Sequence, residues 1–329
     1  PRPDASMTLP FAIFGGDAIT TRHITLLLFA GIGVVLLLAS ILGPVLGRRL
    51  GTDHRLVRNL NARARTWWII AIVTGVAFLG GHTGVVILFG LLSFYTLREF
   101  ITLAPTQRGD HWPLVVSFFV VLPLQYVFVW HEWWSAATIF VPVYAFLALP
   151  ILACFGHDTT RFIDRAAQTQ WGLMICVYCI SQFPALLVLR IPGYEGRNLL
   201  LVIFLVLIVQ SGDLMQYLCG KLFGRHKMSP GLSAYRTIEG LVGGIVSSTV
   251  LGAMLWWATP FSPGQAALAA LAVTVMGSLG GLVMAAIKRD RGVKDWGNSL
   301  EGRGGMLDRF DSVCFAAPVF FHIVRYWAS

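Results

Sequence analysis

Charged residues are scarce in this chain of 329 residues. Only 12% of its residues are Asp, Glu, Lys or Arg, whereas 56% are hydrophobic and the mean hydropathy is +0.70. A soluble globular domain carries roughly 25% charged residues. A charge content of about half that value, together with long apolar stretches, excludes an ordinary soluble domain and indicates an integral membrane protein.

Cysteine is also rare, with five residues that all lie in or at the ends of apolar runs. Cys176 and Cys179 have the C-x-x-C spacing of a metal or redox motif, but no second pair or histidine cluster accompanies them. Buried, small apolar side chains are therefore a better interpretation than zinc or redox chemistry. The first 22 residues also lack the pattern of a secretory signal peptide.

Apolar runs, by contrast, are abundant. A helix that crosses a bilayer needs about 20 mainly apolar residues. Ten such runs lie near residues 23–47, 67–81, 83–97, 113–130, 136–155, 171–190, 199–219, 239–258, 265–287 and 308–327. The second and third are short and meet at Gly80 and Gly81, which leaves tilted, re-entrant and single-hairpin arrangements open. The sequence predicts an all-α, polytopic integral membrane protein with about ten transmembrane or re-entrant helices.

The basic residues predict how these helices are oriented. Lys and Arg are enriched in cytoplasmic loops. The loops on one side, 48–66, 98–112, 156–170, 220–238 and 288–309, hold 20 of the 25 Lys and Arg residues. We therefore expect both termini to face away from the cytoplasm, in a bacterial inner membrane. This topology explains the net charge of +9 better than a nucleic-acid partner, and we expect no nucleic acid to bind.

Charge is concentrated in residues 288–311, which we call the C-terminal polar segment. It holds six basic and five acidic residues. A purely topogenic loop would explain the cations only, because acidic residues contribute little to orientation. Asp308 and Asp311 are three residues apart at the start of a predicted helix, so they share a face and repel each other unless a cation lies between them. Two carboxylates with basic residues nearby suit Mg²⁺ and a polyphosphate substrate.

A second polar island spans residues 211–240, which we call the upstream polar segment. Asp213 lies at the end of an apolar run, and Tyr217, four residues later, shares its helical face. Basic residues follow at Lys221, Arg225, His226, Lys227 and Arg236. His226 is interpreted equally well as a phosphate contact and as a solvated loop residue. Glu239 opens the next helix, where a capping role is a reasonable alternative.

These two segments resemble the phosphatidate cytidylyltransferase family, also called CDP-diacylglycerol synthases. In the C-terminal polar segment the matching residues are Lys288, Arg289, Lys294, Asp295, Gly304, Gly305, Asp308, Arg309, Phe310 and Asp311. In the upstream polar segment they are Asp213, Tyr217, Gly220, Lys221, Phe223, Gly224, His226, Lys227 and Pro230, followed by Ser233, Arg236, Thr237, Glu239 and Gly240. The match covers roughly the last 120 residues. We therefore divide the chain into an N-terminal transmembrane region (1–110), a middle transmembrane region (111–206) and a cytidylyltransferase-like core (207–329).

The resemblance implies a reaction and a set of site residues. In this family a phosphatidic acid phosphate attacks CTP, so that CDP-diacylglycerol forms and pyrophosphate leaves. Asp308 and Asp311 would hold Mg²⁺ and act in catalysis with Lys288 and Arg289, and K⁺ is a possible second cation. Substrate binding would involve Lys294, Asp295, Arg303, Gly304, Gly305, Arg309, Asp213, Tyr217, Lys221, His226, Lys227 and Arg236. The expected partners are CTP, phosphatidic acid or a related lipid phosphate, membrane lipids and a second copy of the chain.

Four positions depart from the family pattern. Gly281 stands where the family has an acid, Ala285 replaces the signature serine, Arg303 replaces a histidine, and Glu301 replaces a proline or glycine. These departures motivate an alternative, a divergent member with an altered substrate or little catalysis. A second alternative is an anion transporter, which is less favoured because no internal repeat is visible and the charges lie at one membrane face.

Overall fold

The computed structural model of the protein describes residues 71–104, 106–156, 158–229, 231–297 and 304–328, together with Gly33, Leu37, Ser40, Trp68 and Ile69. The first predicted run, 23–47, therefore lies almost entirely outside the described residues. Within the second run, residues 71–79 are helical, and Gly80 forms a turn before the next helix.

The eight remaining predicted runs all correspond to helices. Six are long and apolar enough to cross a membrane: α1 (Gly81–Thr102), α2 (His111–Trp130), α3 (Trp134–Cys154), α4 (Phe162–Val188), α5 (Asn198–Phe223) and α7 (Pro263–Asp290). Two are apolar but shorter: α6 (Ile238–Met254) and α8 (Val313–Ala328). The protein is thus a helical integral membrane protein, whereas the total of ten helices remains a prediction.

Local sequence signals explain several helix ends. Helix α7 begins with a capping box, in which Ser262 Oγ accepts from Gln265 N and the Gln265 side chain accepts from Ser262 N, with Pro263 in the first turn. The same helix ends with Lys288 and Arg289, whose positive charges favour its C-terminal dipole. Single π-helical segments interrupt α2 (Ser117–Val121), α3 (Phe140–Ala145) and α4 (Met174–Cys179).

A small antiparallel sheet adds to the predicted all-α fold. Strands β1 (Lys227–Ser229) and β2 (Ser233–Thr237) form a hairpin between α5 and α6, with Lys227 opposite Thr237 and Ser229 opposite Ser233. The sequence between the strands contains Pro-Gly, a strong turn signal, in a stretch too polar to enter the membrane. Sequence analysis identified this stretch as polar but did not predict its strands.

Helix α4 forms the centre of the bundle. Its apolar window is 83% buried, whereas the windows of the other five candidate spans are 28–44% buried. Helices α5, α6 and α7 pack against one another in chain order, and α8 packs against α7, α4 and α5. On the side predicted to be cytoplasmic, the end of α1 contacts the turn that precedes α8.

Candidate active site

The two carboxylates predicted to bind a metal ion converge on one cation in the structure. Lys288 Nζ lies 3.0 Å from Asp308 Oδ1 and 2.6 Å from Asp311 Oδ2. The three side chains are 13%, 9% and 19% exposed, respectively, so the pair would repel strongly without the ammonium. Lys288 thus braces the carboxylates.

The second oxygen of each carboxylate is fixed by N–H donors. Asp308 Oδ2 accepts from the backbone N–H groups of Trp296 (2.9 Å) and Gly305 (2.8 Å). Asp311 Oδ1 accepts from Trp296 Nε1 at 3.0 Å. These bonds leave Asp308 Oδ1 and Asp311 Oδ2 directed at the same point. The orientation of the pair is therefore set by the surrounding loop as well as by Lys288.

The predicted reason for this convergence was wrong. The two acids do not lie on one face of a helix. Asp308 lies in a 3₁₀ turn, Leu307–Arg309, and Asp311 lies in the turn that precedes α8 at Val313. A 3₁₀ turn with N–H donors from two directions brings the carboxylates together instead.

The donor set fits a hard divalent ion that shares its ligands with a substrate. Two carboxylate oxygens already point at one cationic atom. Among the described residues, no group of three or more His, Cys, Asp or Glu side chains could hold a metal ion by itself. Mg²⁺ is commonly held in this way, by one or two carboxylates together with phosphates and waters. Burial raises the pKa of the Asp311 carboxyl, and the ammonium of Lys288 opposes that shift.

A carboxylate from α1 holds the turn that carries Asp308. Glu99, near the end of α1, is only 7% exposed. Its Oε1 accepts from Met306 N and its Oε2 from Leu307 N, both at 2.9 Å. Because charge-assisted bonds to backbone N–H groups are strong, Glu99 fixes the start of the 3₁₀ turn to α1.

The two glycines of the motif allow close packing around these acids. Gly304 has φ +78°, which favours glycine, and a β-carbon at Gly305 would lie 2.7 Å from Glu99 Oε2. The resemblance implied that Gly305 takes part in substrate binding. In the structure its backbone N–H donates to Asp308, so it orients a carboxylate.

The upstream polar segment contributes two residues to the same region. Asp213, on α5, lies near the side chain of Ser312, the residue after Asp311, and near the charge of Arg236. Arg236 Nη1 donates to Ser278 O of α7 at 2.6 Å. The structure therefore brings the two polar segments together.

Arg236 also lies beside Gly281, the position at which the family's acid is missing. A β-carbon added to Gly281 would lie 2.8 Å from Arg236 Nη2 and 2.9 Å from Ser312 Oγ. The guanidinium of Arg236 thus occupies the space beside Gly281. A side chain at this position would have to displace the ends of two flexible side chains.

The other predicted residues lie further out. Arg289 is exposed and donates to Val293 O at 3.4 Å, which is too long for a strong bond. The His226 ring pairs with Glu239 at 2.6 Å, and Thr237, not Glu239, caps α6. Exposed positions are occupied by Tyr217, Lys221, His226, Lys227, Lys294, Asp295 and Arg309. Arg303 lies outside the described residues.

Comparison with known proteins agrees with the geometry. The model of the cytidylyltransferase family matches residues 61–327. The chain belongs to the cytidylyltransferase family. It is similar to the uncharacterized protein YnbB of Escherichia coli strain K12, with 36% identity over 298 residues, 89% of this chain and 95% of that protein. It is also similar to a phosphatidate cytidylyltransferase of Bacillus subtilis strain 168, with 30% identity over 243 residues, 73% of this chain and 85% of that protein.

A shorter match reaches Staphylococcus aureus. The phosphatidate cytidylyltransferase of strain COL is 34% identical over 157 residues, which is 46% of this chain and 60% of that protein. The predicted family is therefore confirmed, and the family model extends well upstream of the 120 residues on which the resemblance rested.

Sequence analysis missed two residues of the site, Trp296 and Glu99. Trp296 is 2% exposed and donates to both acids. Its signal was an aromatic residue inside a polar loop. The signal of Glu99 was an acid beside Arg98 directly after an apolar run, a position where charge is costly in a membrane and points to function.

Proposed function

We propose that this cytidylyltransferase-family protein converts CTP and phosphatidic acid, or a closely related lipid phosphate, to CDP-diacylglycerol and pyrophosphate. The observation that carries the proposal is the pair Asp308 and Asp311. Each acid directs one oxygen at a single cation, and each has its other oxygen fixed by N–H donors. Family membership and the named activity of the Bacillus subtilis relative support the same reaction.

The reaction exchanges one phosphoanhydride bond for another. A lipid phosphate oxygen forms a bond to the α-phosphorus of CTP, and the bond between that phosphorus and the bridging oxygen to the β-phosphate breaks. The electron pair leaves with pyrophosphate. Phosphoryl-type transfer depends mainly on positioning and on neutralising negative charge, and a site with fixed carboxylates and nearby cations meets both needs.

Mg²⁺ is the proposed cofactor, and Asp308 Oδ1 and Asp311 Oδ2 are its proposed protein ligands. When bound, it would neutralise charge on the triphosphate and on the leaving group. Lys288 balances the two acids without a metal, and its flexible side chain can move to a phosphate oxygen once another cation satisfies them. Arg236 contacts α7, and Asp213 of α5 lies near Arg236 and Ser312, so these two side chains link α5, α7 and the turn before α8. A second cation such as K⁺ remains part of the proposal.

The two alternative interpretations are not favoured. Gly281 lacks the family's acid, but Arg236 and Ser312 fill the space beside it, so the position is not an open defect. The family match along most of the chain does not favour a transporter or an inactive member. The excess of basic residues in one set of loops supports a cytoplasmic site in a bacterial inner membrane. We also propose a homodimer, as the resemblance implies.

The test is a product assay on the purified full-length protein in detergent. With CTP, phosphatidic acid and Mg²⁺, we expect pyrophosphate release and CDP-diacylglycerol, identified by mass spectrometry. Chelation of Mg²⁺ or substitution Asp311→Asn should stop both. A matched control is Glu195→Gln, which changes an exposed carboxylate in the loop between α4 and α5. If folded wild-type protein makes no CDP-lipid from any lipid phosphate while a known cytidylyltransferase does, the proposal is wrong.

A further inference from the structure

A cavity of about 680 Å³ lies beside the candidate active site, between the end of α1, the first half of α4 and the end of α7. All three helices are candidate membrane spans. Part of its lining is apolar and aromatic and includes Phe100, Leu103, Trp171, Val283, Ile287 and Trp296. Ligand pockets commonly enclose about 300–1,000 Å³, so the space is large enough for part of a lipid.

The rim of this cavity carries charge, where the three helices reach the membrane boundary. Arg161 and Asp164 line it from the start of α4, and Asp290 and Arg291 line it from the end of α7. Arg161 is paired with Asp164 at 3.0 Å, but the two side chains are 65% and 55% exposed. Arg291 is paired with Asp290 at 3.4 Å. The Arg291 side chain is 20% exposed and that of Asp290 is 72% exposed. Exposed pairs such as Arg161–Asp164 are weak, so the Arg161 guanidinium can exchange its carboxylate for a phosphate, and the 3.4 Å contact of Arg291 is too long for a strong bond.

Arg161, at the start of α4, has an unusual backbone conformation. Arg161 has φ +47° and ψ +40°, a left-handed conformation that non-glycine residues rarely adopt. Such conformations persist where the surroundings impose them, and they cluster at ligand sites. Here the conformation ends the preceding loop and places an arginine at the rim.

Trp296 connects the cavity to the two catalytic acids. Its indole lines the cavity, and its ring stacks on Phe100 with a centroid distance of 5.2 Å. The same residue donates its backbone N–H to Asp308 and its Nε1–H to Asp311. The cavity is thus separated from the acids by a single residue, and that residue orients both of them.

We propose that this cavity binds the lipid substrate, with acyl chain against the apolar wall and the phosphate monoester at the rim, near Arg161 and Arg291. The inference rests on the proposed function and adds the position of one substrate to it. The cavity has an apolar wall, two arginines at its rim and a contact with Trp296. Together these features match a molecule with a phosphate head and an acyl tail. A bilayer lipid without a phosphate monoester would contact the apolar wall but would not bind the arginines.

Two substitutions test the proposal in the full-length enzyme. Ala286→Trp places an indole in the cavity and should raise the KM for long-chain phosphatidic acid by at least about tenfold, with an unchanged KM for CTP. Its control is Leu268→Trp, an exposed position 18 residues earlier on α7. Arg161→Gln should raise the same KM by at least about fivefold, with the exposed Arg190→Gln as its control.

A binding measurement separates this inference from the proposed reaction. A photoactivatable phosphatidic acid probe should crosslink to peptides of α4 and α7 that line the cavity. A matched photoactivatable phosphatidylcholine probe should label the same peptides poorly. If CDP-lipid forms normally in both Ala286→Trp and Arg161→Gln, the cavity proposal fails and the reaction stands. If both probes label the cavity equally, the cavity holds bulk lipid, and the proposal fails. Selective labelling without CDP-lipid formation would support the site and refute the reaction.

Discussion

Two clusters on the same side of the bundle each place one basic side chain between two carboxylates, yet they suit different tasks. In the first, Arg165 of α4 contacts Asp110 at 3.0 Å, Asp158 at 2.6 Å and Gln107 at 2.8 Å, and it also donates to Asp158 O. In the second, Lys288 contacts only Asp308 and Asp311 among its described partners. The Arg165 side chain is 4% exposed and that of Lys288 is 13% exposed.

The difference lies in the cation rather than in the acids. A guanidinium is a rigid fork, and that of Arg165 donates through Nη1 and Nη2 to Gln107 and Asp158, whereas an ammonium on a flexible stem behaves as a point charge. The Arg165 cluster therefore joins two loops to α4 permanently. In the Lys288 cluster, the cation between the two acids can be exchanged. A metal-dependent site requires such an exchange.

The largest expected effect is on stability, at the arginine. Arg165→Met would leave Asp110 buried without its cation, and breaking a buried pair from one side costs about 3–5 kcal/mol. We expect a marked fall in the thermal unfolding midpoint in detergent, with unchanged turnover per folded molecule. Arg190→Met is the control, because Arg190 is 86% exposed in its pair with Glu132. A normal midpoint for Arg165→Met would show that this cluster is not structural.

The next effect is on activity, at the acids. Asp308→Asn should reduce kcat by about 10²- to 10³-fold, the loss seen when a preorganised electrostatic group is removed, while the protein remains folded. Asp110→Asn changes the corresponding acid of the other cluster and should lower stability without reducing kcat. Equal kinetic losses in the two variants would remove the distinction between the clusters.

Lys288→Arg tests exchangeability directly. A guanidinium at position 288 would bind both acids through a fork, so a charge-assisted bond of about 1.5–3 kcal/mol would have to break before a metal could enter. We expect the Mg²⁺ concentration for half-maximal activity to rise by about tenfold or more, without loss of stability. An unchanged Mg²⁺ requirement would indicate that Lys288 never leaves the acids.

The smallest effect concerns the orientation of Asp311. Trp296→Phe keeps an aromatic ring against Phe100 and the backbone N–H to Asp308, but it removes the Nε1–H donor. Outer partners of metal ligands typically contribute 10–100-fold, and we expect about tenfold weaker Mg²⁺ activation. Trp133→Phe, at an exposed position between α2 and α3, is the control. A larger loss in the control would mean that the assay reports general damage to the bundle.

Local chemistry allowed the sequence to predict part of this site. Asp308, Asp311 and Lys288 were identifiable because charge is costly in an apolar chain, and the family motif gave their relation. Glu99 and Trp296 could not be assigned, because their roles depend on contacts with distant residues or on the path of a loop. The same limit explains why the acids were expected on a helix and why β1 and β2 were not expected at all.

The bond between Glu99 and the turn at Met306 and Leu307 ties together parts of the chain that are about 200 residues apart. Residues 207–329 contain both acids, yet the carboxylate that anchors their turn lies in α1. Shortening the protein from its N-terminal side past α1 would remove that anchor while leaving every recognisable motif in place. The part of the chain that looks least like an enzyme thus helps to set the shape of its catalytic centre.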